Sequence, residues 1–178
     1  MSGFFYLLGS LALILLDFLF KKWAVLSLKP IGHFDIIKNV LSLHYHENYG
    51  AAFGILQQKK WFLIVFTSIM LALLVYLLFD KKLQKPILNT SLMLIIGGGV
   101  GNLIDRIVKG YVVDYIYFEP INFPIFNFAD ICVVCGTILL FIYLLFFDKS
   151  DEKAEKLEFV DRFSGEIVST ESDKENNK

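Results

Sequence analysis

GGGVGNLIDRIVKGYVVDYIYFEPINFPIFNFAD, residues 97–130, joins two apolar runs and decides how the rest of the chain is read. It sets Asp105, Arg106, Asp114 and Asp130 at or beside apolar sequence. Ionisable groups at the edge of hydrocarbon are costly, so their default reading is functional. Gly97 and Gly101 stand at GxxxG spacing, which predicts close packing on another helix. No strand precedes the glycines and no Lys-Ser/Thr pair follows them, so a phosphate loop does not fit. Tyr111–Phe118 is rich in β-branched and aromatic residues and predicts an extended segment. Glu119-Pro120 and Phe123-Pro124 break any helix before the next apolar run.

Working outward, the 178 residues are 56% hydrophobic, with a mean hydropathy of +0.58. Four runs carry most of this: Phe4–Phe20, Trp61–Phe79, Ile87–Ile104 and Phe128–Phe147. At 1.5 Å per residue each is roughly 25–30 Å of helix, against a bilayer core of about 30 Å. Backbone groups inside lipid must bond within their own segment, so the runs are predicted as helices. The fold class that follows is an all-α membrane protein with four transmembrane helices. A membrane domain over residues 1–149 carries connectors at 24–60 and 106–127. A charged tail, 150–178, is predicted to be disordered on composition. No small-x-small site follows the first run, and Lys21 and Lys22 do, so that run reads as an uncleaved helix. The net charge of −1 points to no nucleic-acid partner. Two cysteines, both in the last run, make no disulfide framework.

The first connector is too long for a tight turn and is predicted to have structure of its own. Asp35–Tyr49 favours short strands, and Ala51–Leu56 a short interfacial helix. His44 and His46 would share a strand face, but a metal site needs further ligands, and none is assigned. Asp17 and Lys21 allow two readings. One is a local i,i+4 pair with the lysine snorkelling outward. In the other, Asp17 faces the bundle and braces a site.

Alternation of four spans puts both termini on one face. It gathers Asp17, Asn48, Asn102, Asp105, Arg106, Asp114, Asn127 and Asp130 at the other. Basic residues are balanced between the faces, so the positive-inside rule gives no orientation. Asn102, Asp105 and Arg106 lie at i, i+3 and i+4; Asp105 and Arg106 could pair, or Arg106 could anchor a polar substrate group. Asn127 is a candidate N-cap for the fourth span, and Asp130 suits its first turn. If Asp114 and Asp130 meet, they share a proton, one acting as base on water and the other as acid. That chemistry needs no cofactor. Two other classes compete. Cys132 and Cys135, at C-x-x-C spacing with both thiols on one helix face, suit a membrane thiol oxidoreductase, although buried apolar thiols tend to be inert. An ion channel or transporter would need polar residues through the whole bundle depth, and the second run has only Thr67 and Ser68.

Five ordered motifs give the chain a further likeness. They are Asp17 with Lys21, Asn48-Tyr49-Gly50-Ala51-Ala52-Phe53, Gly101-Asn102-Leu103-Ile104-Asp105-Arg106, Val112-Val113-Asp114-Tyr115, and Phe126-Asn127-Phe128-Ala129-Asp130. Over roughly residues 10–147 the chain resembles lipoprotein signal peptidase, or signal peptidase II, a family of bacterial membrane aspartic proteases. The resemblance implies four transmembrane helices in the bacterial cytoplasmic membrane, with both termini cytoplasmic. It also implies a small extracytoplasmic β-cradle and a short interfacial helix over the site. It implies that Asp114 and Asp130 are a catalytic dyad, with Asp17, Asn48, Asn102, Asp105, Arg106 and Asn127 supporting the site or contacting substrate. The implied substrate is a diacylglyceryl-modified prolipoprotein, cleaved among membrane lipids on the amino side of the lipidated cysteine. Globomycin is the expected inhibitor. Phe18 stands where the family commonly has Gln.

Overall fold

Four helices are long and apolar enough to cross a membrane. They are α1 (Gly3–Trp23), prolonged by a π-helical turn over Ala24–Leu28, α2 (Lys60–Phe79), α3 (Pro86–Val108) and α4 (Phe128–Phe146). The chain is a multi-pass membrane protein. This computed structural model describes residues 3–50, 56–57 and 59–146. Apart from Leu56, which lies in a turn, the helix expected over Ala51–Leu56 falls outside the described residues, as does the tail 150–178. Two compact units divide the chain, Met1–Leu140 and Phe141–Lys178; the described part of the second is Phe141–Phe146, the end of α4.

Half of α3's most apolar window is buried, against 17% in α1 and α2, so α3 is the helix the others pack on. Its four glycines explain how. Successive helical residues point about 100° apart, so consecutive positions face different neighbours. A Cβ on Gly97 would lie 2.9 Å from Leu13 in α1, and one on Gly99 2.8 Å from Leu71 in α2. A Cβ on Gly98 would collide with the Ala129 carbonyl oxygen in α4. Gly101 returns to α1, where a Cβ would stand 2.5 Å from Asp17 Oδ2. The GxxxG pair thus faces α1. The outer faces carry exposed Phe4, Leu11, Val65, Ile69, Val134 and Ile138, as a surface in contact with lipid acyl chains should.

Helix ends depart from the sequence reading at two places. α1 continues past Phe20 through Lys21 and Lys22, because Lys21 is buried, not drawn out to water. α3 begins at Pro86, whose missing N–H is an orphan in any first turn. It continues past Ile104 to Val108, then stops where Gly110 adopts φ +89° and donates its N–H to the Asp105 carbonyl.

Between the spans lies a three-stranded antiparallel sheet in the order β1 (His33–Ile37), β2 (Leu41–Asn48), β3 (Val112–Phe118). β2 and β3 come from different connectors, so the sheet ties the two together. Their register opposes His46 to Asp114, Glu47 to Val113 and Asn48 to Val112, with an irregularity between Leu43 and His46. One side packs on the π turn: Ala24 and Leu28 form a buried cluster with Val113 and Tyr115. The sheet is thereby fixed to the end of α1, and β3 carries Asp114 against the bundle.

Candidate active site

The site is built around the first turn of α4. A helix start leaves its first N–H groups without intrahelical partners, and here other parts of the chain supply them. Phe128 N donates to Tyr115 Oη at 3.3 Å, and Ala129 N to Asp17 Oδ1 at 3.1 Å. Asp130 N donates to Asn127 Oδ1 at 3.0 Å, and Asn127 N to Asp130 Oδ2 at 3.0 Å. The last two form a reciprocal capping box, with Asp in the place usual for Glu. Asn127 is thus the N-cap, and the cap fixes the Asp130 carboxylate.

The same asparagine reaches the other aspartate. Asn127 Nδ2 donates to Asp114 Oδ1 at 2.6 Å and to Asn102 Oδ1 at 3.2 Å. Asn48 Nδ2 donates to Asp114 Oδ2 at 2.9 Å. Asn102 Nδ2 donates to Asp130 Oδ1 at 2.8 Å. Every carboxylate oxygen of Asp114 and Asp130 therefore has an amide donor. Asp114 is 1% exposed and Asn127 0%. Burial, then the neighbouring Asp130 charge, pushes the Asp114 carboxyl up to about 7, against the pull of the Asn48 and Asn127 amides.

Behind this pair lies a second buried cluster. Lys21 Nζ stands 2.7 Å from Asp17 Oδ2, 3.4 Å from Asp105 Oδ2 and 2.8 Å from Asn102 Oδ1. Asp17 and Lys21 are each 2% exposed, so of the two readings the inward one describes the structure. Snorkelling is impossible for a side chain held by three inward acceptors. Asp105 pairs with Lys21 and with Lys109, at 2.8 Å, and not with Arg106. Consecutive helical residues diverge, and Arg106 Nη2 reaches the Gly50 carbonyl at 3.1 Å instead. Asp105 Oδ2 also accepts from Val113 N at 3.2 Å, tying α3 to β3 one residue before Asp114.

All eight residues singled out in the sequence thus belong to one hydrogen-bonded assembly. Lys21 and Tyr115 join them; for Lys21 the i,i+4 spacing from Asp17 was the available signal. Phe18, the departure from the common Gln, is 53% exposed and lies off the site.

A cavity of about 910 Å³ opens beside the two aspartates. Asn48, Asn102, Arg106, Asp114 and Asp130 form its polar end, and Ile131, Val133 and Val134 continue it along α4. An extended chain and an apolar appendage could lie side by side there. Of the two thiols, Cys132 is buried and Cys135 exposed. His44 packs between the rings of His33 and Tyr117, whereas His46 lines the cavity. Among the described residues no group of three or more His, Cys, Asp or Glu could hold a metal ion.

Residues 10–146 match the family described as signal peptidase (SPase) II. The chain belongs to that family. Relatives agree across most of their length. A protein of Clostridium tetani named lipoprotein signal peptidase is 47% identical over 135 residues, 74% of this chain and 86% of the relative. One of Clostridioides difficile, with the same name, is 43% identical over 143 residues, 80% of this chain and 96% of its own. A solved structure described as a bacterial membrane enzyme superposes with a TM-score of 0.73 at 34% identity, covering 79% of this chain and 87% of that one. A second, of the same description, gives 0.71 at 34% identity, covering 80% and 93%. Membership of the SPase II family makes the chain a peptidase, and the assembly around Asn127 is the place in it to look for the chemistry.

Proposed function

We propose that this peptidase is an aspartic endopeptidase that removes signal peptides from diacylglyceryl-modified prolipoproteins, cutting on the amino side of the lipidated cysteine. The observation that carries the reading is the shared bridge: Asn127 holds Asp114 through its side chain and Asp130 through its backbone. Two carboxylates tied to one residue, in one cavity, are placed to divide acid and base roles.

Asp114, with its raised affinity for a proton, is the acid. Asp130, held by the Asn102 amide and the Asn127 N–H, is the base. Asp130 takes a proton from water as the water oxygen bonds to the scissile carbonyl carbon. Asp114 gives its proton to the carbonyl oxygen, so the tetrahedral intermediate carries no net charge. On collapse the C–N bond breaks, the Asp130 proton goes to the leaving nitrogen, and Asp114 recovers its own. Asp17, Asn48, Asn102, Asp105, Arg106 and Asn127 hold this geometry or meet the substrate.

The apolar wall along α4 supports an acylated substrate. A signal peptide crossing the bilayer would bring its cleavage site to the aspartate end of the bundle, with the diacylglyceryl group beside it among the lipids. The site then faces the extracytoplasmic side, and both termini are cytoplasmic.

The test uses purified full-length protein in lipid bilayers with a diacylated prolipoprotein peptide, the same peptide without lipid, and globomycin. Cleavage should require the lipid and stop with globomycin. Asp114→Asn and Asp130→Asn should each abolish it while the protein stays folded. Near-normal turnover by either variant would sink the dyad assignment.

A further inference from the structure

Beside the candidate site, Glu47 gathers three donors that the roles above leave unused. Its Oε1 accepts from Lys29 Nζ at 3.0 Å and from Tyr45 Oη at 2.9 Å, and its Oε2 from Tyr49 Oη at 3.0 Å. Lys29 Nζ also lies 4.8 Å from the centre of the Tyr45 ring. The Tyr49 ring packs on Tyr111, with centroids 5.4 Å apart. These donors come from the segment after α1, from β2 and from the turn that follows β2.

The end of β2 reaches Asp114 directly. Asn48, next to Glu47, donates to Asp114 Oδ2 and accepts from Gly50 N at 2.9 Å. The Gly50 carbonyl in turn receives Arg106. The stretch 47–50 is therefore held by Asp114 and Arg106, by the β2–β3 ladder at Glu47 and Asn48, by the Tyr49–Tyr111 ring contact and by the Glu47 cluster.

We propose that Glu47 is a positioning residue: by clamping Lys29, Tyr45 and Tyr49 it fixes the turn 48–50 and keeps the Asn48 amide on Asp114. This inference rests on the peptidase reading above for its place in the reaction, though not for its geometry. An isolated exposed ion pair contributes little. Here one carboxylate instead accepts on both oxygens from three elements, two of them through rigid phenols. The hydrogen bonds from Lys29, Tyr45 and Tyr49 hold the Glu47 carboxyl down to about 2, so the clamp stays charged wherever the site could work.

The consequence is a direction. An amide donated to a carboxylate favours its charged form, so Asn48 pulls the Asp114 carboxyl down. Loosening Asn48 must let it rise. The other charged or titratable groups around Asp114 are Lys21 from α1, Asp105 and Arg106 from α3, Asp130 from α4, His46 from β2 and Tyr115 on β3. Apart from His46, its chain neighbour, none of them shares a hydrogen bond or ion pair with Glu47, and loss of the Glu47 charge would by itself lower the Asp114 carboxyl, so a rise in a Glu47 variant reports on Asn48.

The experiment follows the protonated-carboxyl infrared band, assigned to Asp114 by its loss in Asp114→Asn, across pH in the full-length protein. It is run beside kcat/KM on the diacylated peptide. Glu47→Ala should raise the band's midpoint in the same direction as Asn48→Ala, and adding it to Asn48→Ala should give no further rise. Tyr49→Phe, which removes one donor of three, should give a smaller rise in a protein with little reason to misfold. Where the protein cleaves, the alkaline limb of kcat/KM should move with the band. A midpoint unchanged in Glu47→Ala, or in Tyr49→Phe should Glu47→Ala fail to fold, overturns the proposal, as do additive shifts in the double variant. If the wild type does not cleave but the midpoints still rise, the peptidase reading fails and the clamp stands.

Discussion

Lys21 is a cation buried among Asp17, Asp105 and the Asn102 carbonyl oxygen. Removing one partner of a buried charge cluster costs about 3–5 kcal/mol, because the groups left behind keep their desolvation penalty. Lys21→Met should therefore lower the thermal unfolding temperature sharply, since Asp17 would lose its counter-ion while Asp105, left with Lys109, stays beside it. Adding Asp17→Asn to Lys21→Met should recover part of the loss. Asp114 works in the opposite sense. Its folded carboxyl binds a proton up to about 7, whereas an unperturbed aspartate does so only up to 3.8. Between those values the folded state holds more protons than the unfolded chain, so this group's contribution to stability falls as pH rises through the window. At one pKa unit per 1.36 kcal/mol the cost above pH 7 is at most about 4 kcal/mol. Asp114→Asn should thus gain stability relative to wild type as pH is raised from 4 to 8, while losing cleavage. Parallel unfolding curves for the two proteins across that range would contradict the raised carboxyl. At this scale the sequence was legible where a residue type admits one environment: Asp114 among Val113 and Tyr115 needed partners, and it has them. It was illegible at Lys21, because a lysine near a helix end can satisfy itself in water or inside. Only the positions of Asp105 and Asn102 decide between them.

Among the elements, the four helices were legible because unbroken apolar runs of this length have one low-energy conformation in lipid. Their ends were not. Lys21 and Lys22 read as a boundary, yet α1 runs through them and on into the π turn that carries the sheet. The extended character of β2 and β3 was visible in their aromatic and β-branched residues. Their pairing across two connectors was not, since nothing local encodes a partner so distant in the chain. The glycine run divides the same way. GxxxG spacing pointed to Gly97 and Gly101, but Gly98 faces a different helix, and that follows only once α3 is known to be central. A Cβ on Gly98 would press on backbone, the Ala129 carbonyl, one residue before Asp130; a Cβ on Gly99 would meet only the flexible end of Leu71. Gly98→Ala should therefore cost about 1–3 kcal/mol by overpacking and depress cleavage further by displacing the first turn of α4. Gly99→Ala should be tolerated in both respects. Equal behaviour of these neighbouring substitutions, measured as thermal stability and turnover in the same bilayer, would refute the three-way packing around α3.

For the molecule as a whole, the candidate site draws on α1, α3, β2, β3 and α4, from Asp17 to Asp130, within the unit Met1–Leu140. The family match closes at residue 146, so residues 150–178 lie beyond it. Their composition is acidic and poor in large apolar side chains, which gives little surface to bury. The helix directions add a second reason. α1 and α3 run parallel, with Gly97 at Leu13 and Gly101 at Asp17, and α4 runs against α3, with Gly98 at Ala129 and Gly136 at Ser91. Asp130 therefore stands at the start of α4, and the chain leaves α4 at the end remote from it. Truncation after Lys149 should leave turnover of the diacylated peptide unchanged when compared at equal amounts of inserted protein. That normalisation matters, because a shorter chain that inserts less well would lose activity per cell without losing any per molecule. A truncated protein that inserts fully, unfolds at the wild-type temperature and does not cleave would mean that the tail reaches the aspartates. The sidedness proposed for the termini and the boundary at residue 149 would then both have to be given up.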